Sequence, residues 1–248
     1  MRTVRIPSPF SLLIWAALWE VGGRGVQSDL LPPLSTVIGV AFEVVRLPSF
    51  WTALSETAQA FGAGMFLAIV LGIPMGVLMG LVGAVDKLAN TWINIFVSAP
   101  LTAVVPALMP LMGIGQTTVV ATVFLFAVWV ITLDTQAGIR KVNGALIDMA
   151  KVFGATAPQR FFKILLPGAL PEILTGIRLG VVRGIKGVII GQIIISLLGF
   201  GALFEEYLQA FAMASFWALI LIVFALAFLF VEAIAAIERR VDFYASSR

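Results

Sequence analysis

Long apolar stretches separated by short polar ones set the pattern of this 248-residue chain. Six apolar segments stand out, at roughly 10–23, 57–82, 92–114, 117–138, 172–198 and 213–237. A helix that crosses the hydrocarbon needs about 20 mostly apolar residues. All but the first segment meet that length, and several would have to tilt. Segment 10–23 is short and carries Glu20. Arg2 and Arg5 precede it, as they would a secretory leader. WEVGGRG follows it without a small-residue cleavage site, so it is expected to be a retained span. Beyond it, Pro32-Pro33 fixes an extended stretch, and Val37, Val40, Ala41 and Val44 recur at helical spacing, with Glu43 and Arg46 on another side. This segment reads as a short interfacial helix on the outer face or as an ordered loop.

Composition narrows the class. The chain is 60% hydrophobic and 12% charged, with mean hydropathy +1.07. Soluble domains carry about a quarter charged residues, so the expectation is an all-α membrane protein with six transmembrane helices in a single domain, 1–248. No length remains for a second, soluble domain. The absence of His and Cys removes disulfides, thiolate chemistry, the usual zinc sites and His-based acid–base catalysis.

The cations sort by membrane side. With the N-terminus inside, the inside segments hold Arg2, Arg5, Lys87, Arg140, Lys141, Lys151, Arg160, Lys163, Arg239, Arg240 and Arg248, against only Arg24 and Arg46 outside. That bias places both termini and the 139–171 loop in the cytoplasm. It also accounts for the net charge of +3 without a nucleic-acid partner.

The cytoplasmic loop 142–167 is the most structured polar stretch. Residues 144–153 predict a short helix, and Gly154 suits the left-handed residue that would end it. Pro158 suits a first helical turn. A second helix over about 157–166 would carry Phe161, Phe162, Ile164 and Leu165 until Pro167 stops it and starts the turn into the fifth span. Two short helices at an elbow would present Ala150, Phe153, Phe161 and Phe162 beside Lys151, Arg160 and Lys163, as a helix laid in a partner's groove does. The other reading is an amphipathic loop on lipid headgroups, which does not call for the Gly and Pro placement. No Gly-Lys pair occurs, so the phosphate-cradling G-x-x-x-x-G-K-[ST] loop is absent, as is G-x-G-x-x-G.

Within the spans, Gly72, Gly76 and Gly80, and again Gly176, Gly180 and Gly184, recur every fourth residue. Such stripes let helices approach closely, either inside one subunit or at a seam between two. Pro74, Pro100, Pro106 and Pro110 interrupt helical bonding, and freed carbonyls need partners or a cavity. Spans three and five are therefore the candidate pathway walls, with Pro100, Pro106, Arg183, Lys186 and Gln192 as candidate lining residues. Lys186 sits about 20 Å into span five at 1.5 Å per residue. A charge at that depth must face water, a partner or the bundle interior. Asp134 and Glu232 are available to pair with Arg178 or Arg183.

Ala150, then three residues, Gly154, nine residues, Ile164 and Leu166-Pro167 resembles the E-A-A-x3-G-x9-I-x-L-P loop of bacterial ATP-binding cassette (ABC) importer permeases. Asp148 and Met149 replace the usual Glu and Ala. Leu31-Pro32-Pro33, the run from Ala99-Pro100 to Gly113-Ile114-Gly115, Gly176-Ile177-Arg178 and Gly199-Phe200-Gly201 extend the resemblance to the C-terminus. It is closest to the aliphatic-sulfonate, taurine and nitrate group. Gln192 and Ile185 stand where those permeases usually have Glu and often Trp.

The resemblance implies a type I ABC importer permease fold with a cytoplasmic coupling-helix loop. Asp148, Ala150, Phe153, Gly154, Phe161, Phe162, Ile164 and Pro167 would engage the ATPase. Implied partners are a second copy of the chain, two ATPase subunits, an external binding protein and membrane lipid. ATP and magnesium would sit on the ATPase and no cofactor on this chain. The location implied is a bacterial or archaeal cytoplasmic membrane. Lys186 is expected to help attract an anionic solute, with sulfonate, nitrate, a pyrimidine vitamin precursor and other small organic anions all open. Two other classes compete: an intramembrane enzyme using Glu205 and Glu206, which have no nucleophilic partner in reach, and a stand-alone ion-coupled carrier or channel, for which the coupling loop has no purpose.

Overall fold

A computed structural model describes residues 8–25 and 30–246, with side-chain surroundings for 11–25 and 30–236. Arg2, Arg5 and Arg248, which the expected orientation uses, lie outside the described residues. The described chain is helical throughout: α1 Ser8–Gly25, α2 Leu34–Val44, α3 Pro48–Leu81, α4 Gly83–Ser98, α5 Leu101–Met112, α6 Gln116–Lys141, α7 Gly144–Val152, α8 Ala157–Arg160, a widened π turn Phe161–Leu165, α9 Leu166–Ile195, α10 Gly199–Gln209 and α11 Met213–Ser246.

α6 is the axis of the fold, packed along α3 on one side and α9 on the other. Lipid tails are as apolar as leucine, so helices in a membrane are held by close packing rather than by escape from water. The glycine stripes supply that closeness inside the subunit. A Cβ on Gly76 would stand 2.5 Å from the Thr132 carbonyl oxygen, and one on Gly180 would stand 2.8 Å from the Ile131 side chain. Both stripes thus pack against α6, rather than one of them marking a seam. Thr122 and Thr132, buried on α6, donate back to the Thr118 and Val128 carbonyls and so stay satisfied among apolar neighbours.

Three of the helices are long and apolar enough to cross a membrane: α3, α6 and the Met213–Ala236 part of α11. Two bent pairs raise the number to five if each counts as one span. The expected third span, 92–114, is one of these pairs. α4 and α5 meet at 102°, because Pro100 cannot donate a helical hydrogen bond and biases Ala99 toward extended backbone (φ −71°, ψ 145°). The expected span 10–23 falls in α1, which is not among those five; Glu20 and Arg24 interrupt its outer end. Its Leu12, Leu13, Trp15 and Leu18 face outward.

The segment after α1 is a helix, not a loop. Its predicted face is the packed one: Val37 and Val44 are buried with α11 residues Ala218, Leu219 and Val223. Glu20 explains how α2 begins. Its carboxylate accepts the Ser35 backbone N–H at 2.9 Å and the Ser35 hydroxyl at 2.9 Å, satisfying donors of the first turn.

The expected outer loop after span five also contains a helix. α9 ends at Ser196, left-handed at φ 55°, and α10 turns 47° away to bury Phe200, Leu203, Phe204 and Tyr207.

Candidate functional site: the α7 loop between α6 and α9

α7 begins where Asn143 accepts the Ala145 N–H through its side chain at 2.9 Å. It ends as expected at Gly154, φ +76°. The Ala155 N–H reaches the Ala150 carbonyl at 2.9 Å and the Gly154 N–H reaches Lys151 at 2.9 Å. That pair of bonds is a Schellman closure, and it needs a left-handed residue that glycine adopts at no steric cost. Arg160 then donates to the Ala155 carbonyl at 3.1 Å, fixing the turn from the other side. The Thr156 N–H donates to Gln159 Oε1 at 2.8 Å and starts α8.

From Ala157 the chain departs from expectation. Pro167 does not stop a second short helix. Helix runs from Ala157 through the π turn into α9 without a break, and Pro167 lies in the first turn of α9. A proline ring crowds the carbonyl four residues back, here that of Lys163. The widened turn over Phe161–Leu165, where the Leu166 N–H bonds to Phe161, falls on that residue and opens the needed room. The element is therefore one short helix and one rigid turn joined to a long transmembrane helix, not two helices at an elbow.

The expected residues separate into two groups. Val152, 85% exposed, and Phe153, 82% exposed, stand at the tip with Leu146 and Met149 also outward, while Asp148 lies on the exposed side of α7 and Gly154 on the turn. Phe162 is exposed and in edge contact with half-buried Phe161. Ala150 is buried and Ile164 is half-buried, so both hold the element against the protein. The Lys151 ammonium bonds Asp148 at 2.7 Å and holds its carboxyl below the usual aspartate range. Asn143, Gln159, Val152, Leu146 and Met149 stand outside the expected set, and Arg160 was expected only beside it. The Thr156-x-x-Gln159 spacing is the sequence signal for the second of these.

Adjacent cations at the end of α6 tie this element to the bundle. Arg140 Nη2 pairs with Asp86 of α4 at 2.6 Å and donates to the Met79 carbonyl of α3 at 3.3 Å. Lys141 pairs with Glu172 of α9. Asp86 also accepts from Asn90 at 2.6 Å and from Gln136. The end of α6, from which α7 follows, is thus anchored to α3, α4 and α9.

Of the candidate lining residues, Arg183 and Lys186 stand outward on α9, opposite the glycines packed on α6, while Pro100 is exposed at the α4–α5 break and Pro106 is exposed within α5. Asp134 lies within electrostatic reach of Arg183. Gln192 is different. It is 1% exposed, and its Oε1 accepts the Thr57 hydroxyl at 3.0 Å. Glu56 accepts the Gly199 N–H at 2.6 Å beside it, so this cluster holds the start of α10 against α3 and α9. A Cβ at Gly201 would meet the Gln192 carbonyl oxygen at 2.1 Å. Lys186 has no hydrogen-bond or ion-pair partner among the described residues. Contact with lipid tails at its depth costs at least about 2.5 kcal/mol, so the face that carries it favours a wetter surface.

Among the described residues no cluster of acids could hold a metal ion. The family model for the binding-protein-dependent transport system inner membrane component matches residues 68–243. The taurine transport system permease protein TauC of Escherichia coli K12 is 28% identical over 235 residues, covering 92% of this chain and 84% of its own. The nitrate import permease protein NrtB of Synechocystis is 22% identical over 204 residues, covering 77% of this chain and 72% of its own. In structure, a chain of the inward-facing MetNI methionine ABC transporter superposes with a TM-score of 0.65 at 22% identity, covering 80% of this chain and 98% of that one.

Proposed function

Because the chain belongs to the family of binding-protein-dependent transport system inner membrane components, we propose that it drives import by passing motion from a docked ATPase through α7 and its Gly154 turn into α6 and α9. The chain is the multi-pass, non-catalytic permease subunit of an ABC importer, working with a separate ATPase and a solute-binding protein. Two copies of the chain would assemble with two ATPases, since the sequence carries a single coupling loop and each copy offers one knob. ATP and magnesium would be held by the ATPase. Both termini and α7 face the cytoplasm in this reading, as the lysine and arginine distribution requires. The cargo is a small organic anion.

The observation that carries the coupling role is the pairing of an exposed apolar tip, Val152 and Phe153, with a base locked on both sides. An apolar side chain left in water at the end of a rigid element fits a groove in a partner. α7 hangs directly between α6 and the helix that becomes α9, so a push on it reaches the axis of the fold. The test is co-purification and coupling together. Replacing both Val152 and Phe153 with Ala should weaken ATPase binding by roughly tenfold or more, as loss of a central anchor does, with the permease still folded. Unchanged ATPase binding and unchanged uptake in proteoliposomes would refute the role.

A further inference from the structure

α4 is a rod interrupted at both ends. One non-helical residue, Val82 (φ −118°, ψ 103°), joins it to α3, and the 102° break at Ala99-Pro100 joins it to α5. Its 16 residues span about 24 Å. Val85, Ala89 and Ile93 recur along one side and pack with Met79 of α3 and with Trp129 and Leu133 of α6. Lys87, Leu88, Thr91 and Trp92 cover the opposite side and are exposed. Two contacts pin the packed side to α6, one near each end. At the inner end the Asp86 carboxylate pairs with Arg140 at 2.6 Å and accepts from buried Gln136. Gln136 and Arg140 are one turn apart, so they reach it from the same side of α6. Asn90, one turn along α4, donates to the same carboxylate at 2.6 Å. At the other end Phe96 stacks on Trp129, with ring centroids 4.8 Å apart and planes 10° apart. The two pins stand about 15 Å apart along α4 and about 16 Å apart along α6. That matched spacing makes α4 follow α6.

Arg140 and Lys141 are chain neighbours, and Asn143, which caps α7, follows two residues later. The two cations diverge: Arg140 holds Asp86 of α4, and Lys141 holds Glu172 of α9. Resting on the importer reading, we infer that this pair is a fork that delivers the stroke received at α7 to α4 as well as to α9, with Asp86 the positioning residue of the α4 arm. A part-exposed ion pair contributes little to stability, so the Asp86 cluster matters for the register it holds between two rods. The arms lead to the two sets of candidate lining residues, Pro100 and Pro106 beyond α4, and Arg183 and Lys186 on α9. Both walls then move in one step. Freeing Asp86 leaves α9 driven and α4 idle.

The test uses the permease–ATPase complex in nanodiscs, with a nitroxide on a single cysteine at either S98C, the end of α4, or L179C on α9, both exposed positions. Adding ATP and vanadate should change the spectrum at both sites. D86N should shrink the change at S98C by at least about fivefold, the lower end of a typical coupling between sites, and leave the change at L179C in place. E172Q should do the reverse. D86E and the charge-reversed pair D86R/R140D should restore the response at S98C, which a loss of fold would not allow. An undiminished response at S98C in D86N overturns the inference. So does an equal loss at both sites in D86N, which would assign Asp86 to folding, and so does the absence of any response at S98C in an otherwise unaltered complex that keeps its ATPase. Loss of the ATPase from D86N, not regained by the charge-reversed pair, overturns it too. Failure of the ATPase to co-purify with the unaltered chain defeats the coupling reading beneath it.

Discussion

At the scale of single residues, the positions that matter most are those with no room or no alternative partner. Gly76 faces the backbone carbonyl of Thr132, which cannot move aside as a flexible side chain would. Gly76→Ala should lower stability by about 1–3 kcal/mol, seen as a reduced melting temperature in detergent; an unchanged melt would show that α3 and α6 can separate freely. Thr57 matters for a different reason. Its buried hydroxyl lies between the Ala53 carbonyl, at 2.7 Å, and Gln192 Oε1, at 3.0 Å, and is the side-chain partner of that amide oxygen. Thr57→Ala should cost about 1–3 kcal/mol, the penalty of a buried polar group left alone, and the same melt measures it. Asp148 gives a pH signature. Lys151 holds its carboxyl low, so its contribution to α7 is present at neutral pH and disappears as the pH falls below about 4, through the lowered value. Amide exchange within α7 should therefore be faster in D148N than in the unaltered protein at pH 7. The two should converge in acid, and equal exchange at pH 7 would count against the Lys151 pairing.

At the scale of elements, α7 and its Gly154 stop were largely legible in the sequence, and the connection to α9 was not. Gly154 could be placed because only a left-handed residue closes the bonds from Ala155 to Ala150 and from Gly154 to Lys151. Gly154→Ala should retain the fold but strain the turn by about 1–2 kcal/mol, lowering ATPase-driven uptake more than expression. Normal uptake with normal coupling would set that aside. Pro167 misled because proline rules describe an ordinary α-helix. A π turn widens the backbone over the residues the ring would strike, and no local pattern announces it. The break between α4 and α5 was half visible. Ala99-Pro100 marks a place where helix weakens, but whether the result is a kink or a 102° turn depends on what α5 packs against, which includes α6 and α9.

For the whole molecule, sidedness is the property most directly open to test. The chain has no cysteine, so single cysteines report without background. Asn143→Cys should react with an impermeant maleimide only from the cytoplasmic side and Arg46→Cys only from the opposite side. The reverse pattern would invert the topology and remove α7 from any intracellular ATPase. A membrane destination, the bias of positive charge, the short helix stopped at Gly154 and the helical face of α2 were all present in the sequence. Each depends on local chemistry: hydropathy, charge, chirality at one glycine, or 3.6-residue spacing. What only tertiary structure decided was which apolar surface packs within the chain and which is left exposed. Apolar residues serve equally well in either place, so periodicity cannot separate them. That is why Gln192 proved to be a buried support for α10 while Lys186, six residues earlier on the same helix, was left exposed.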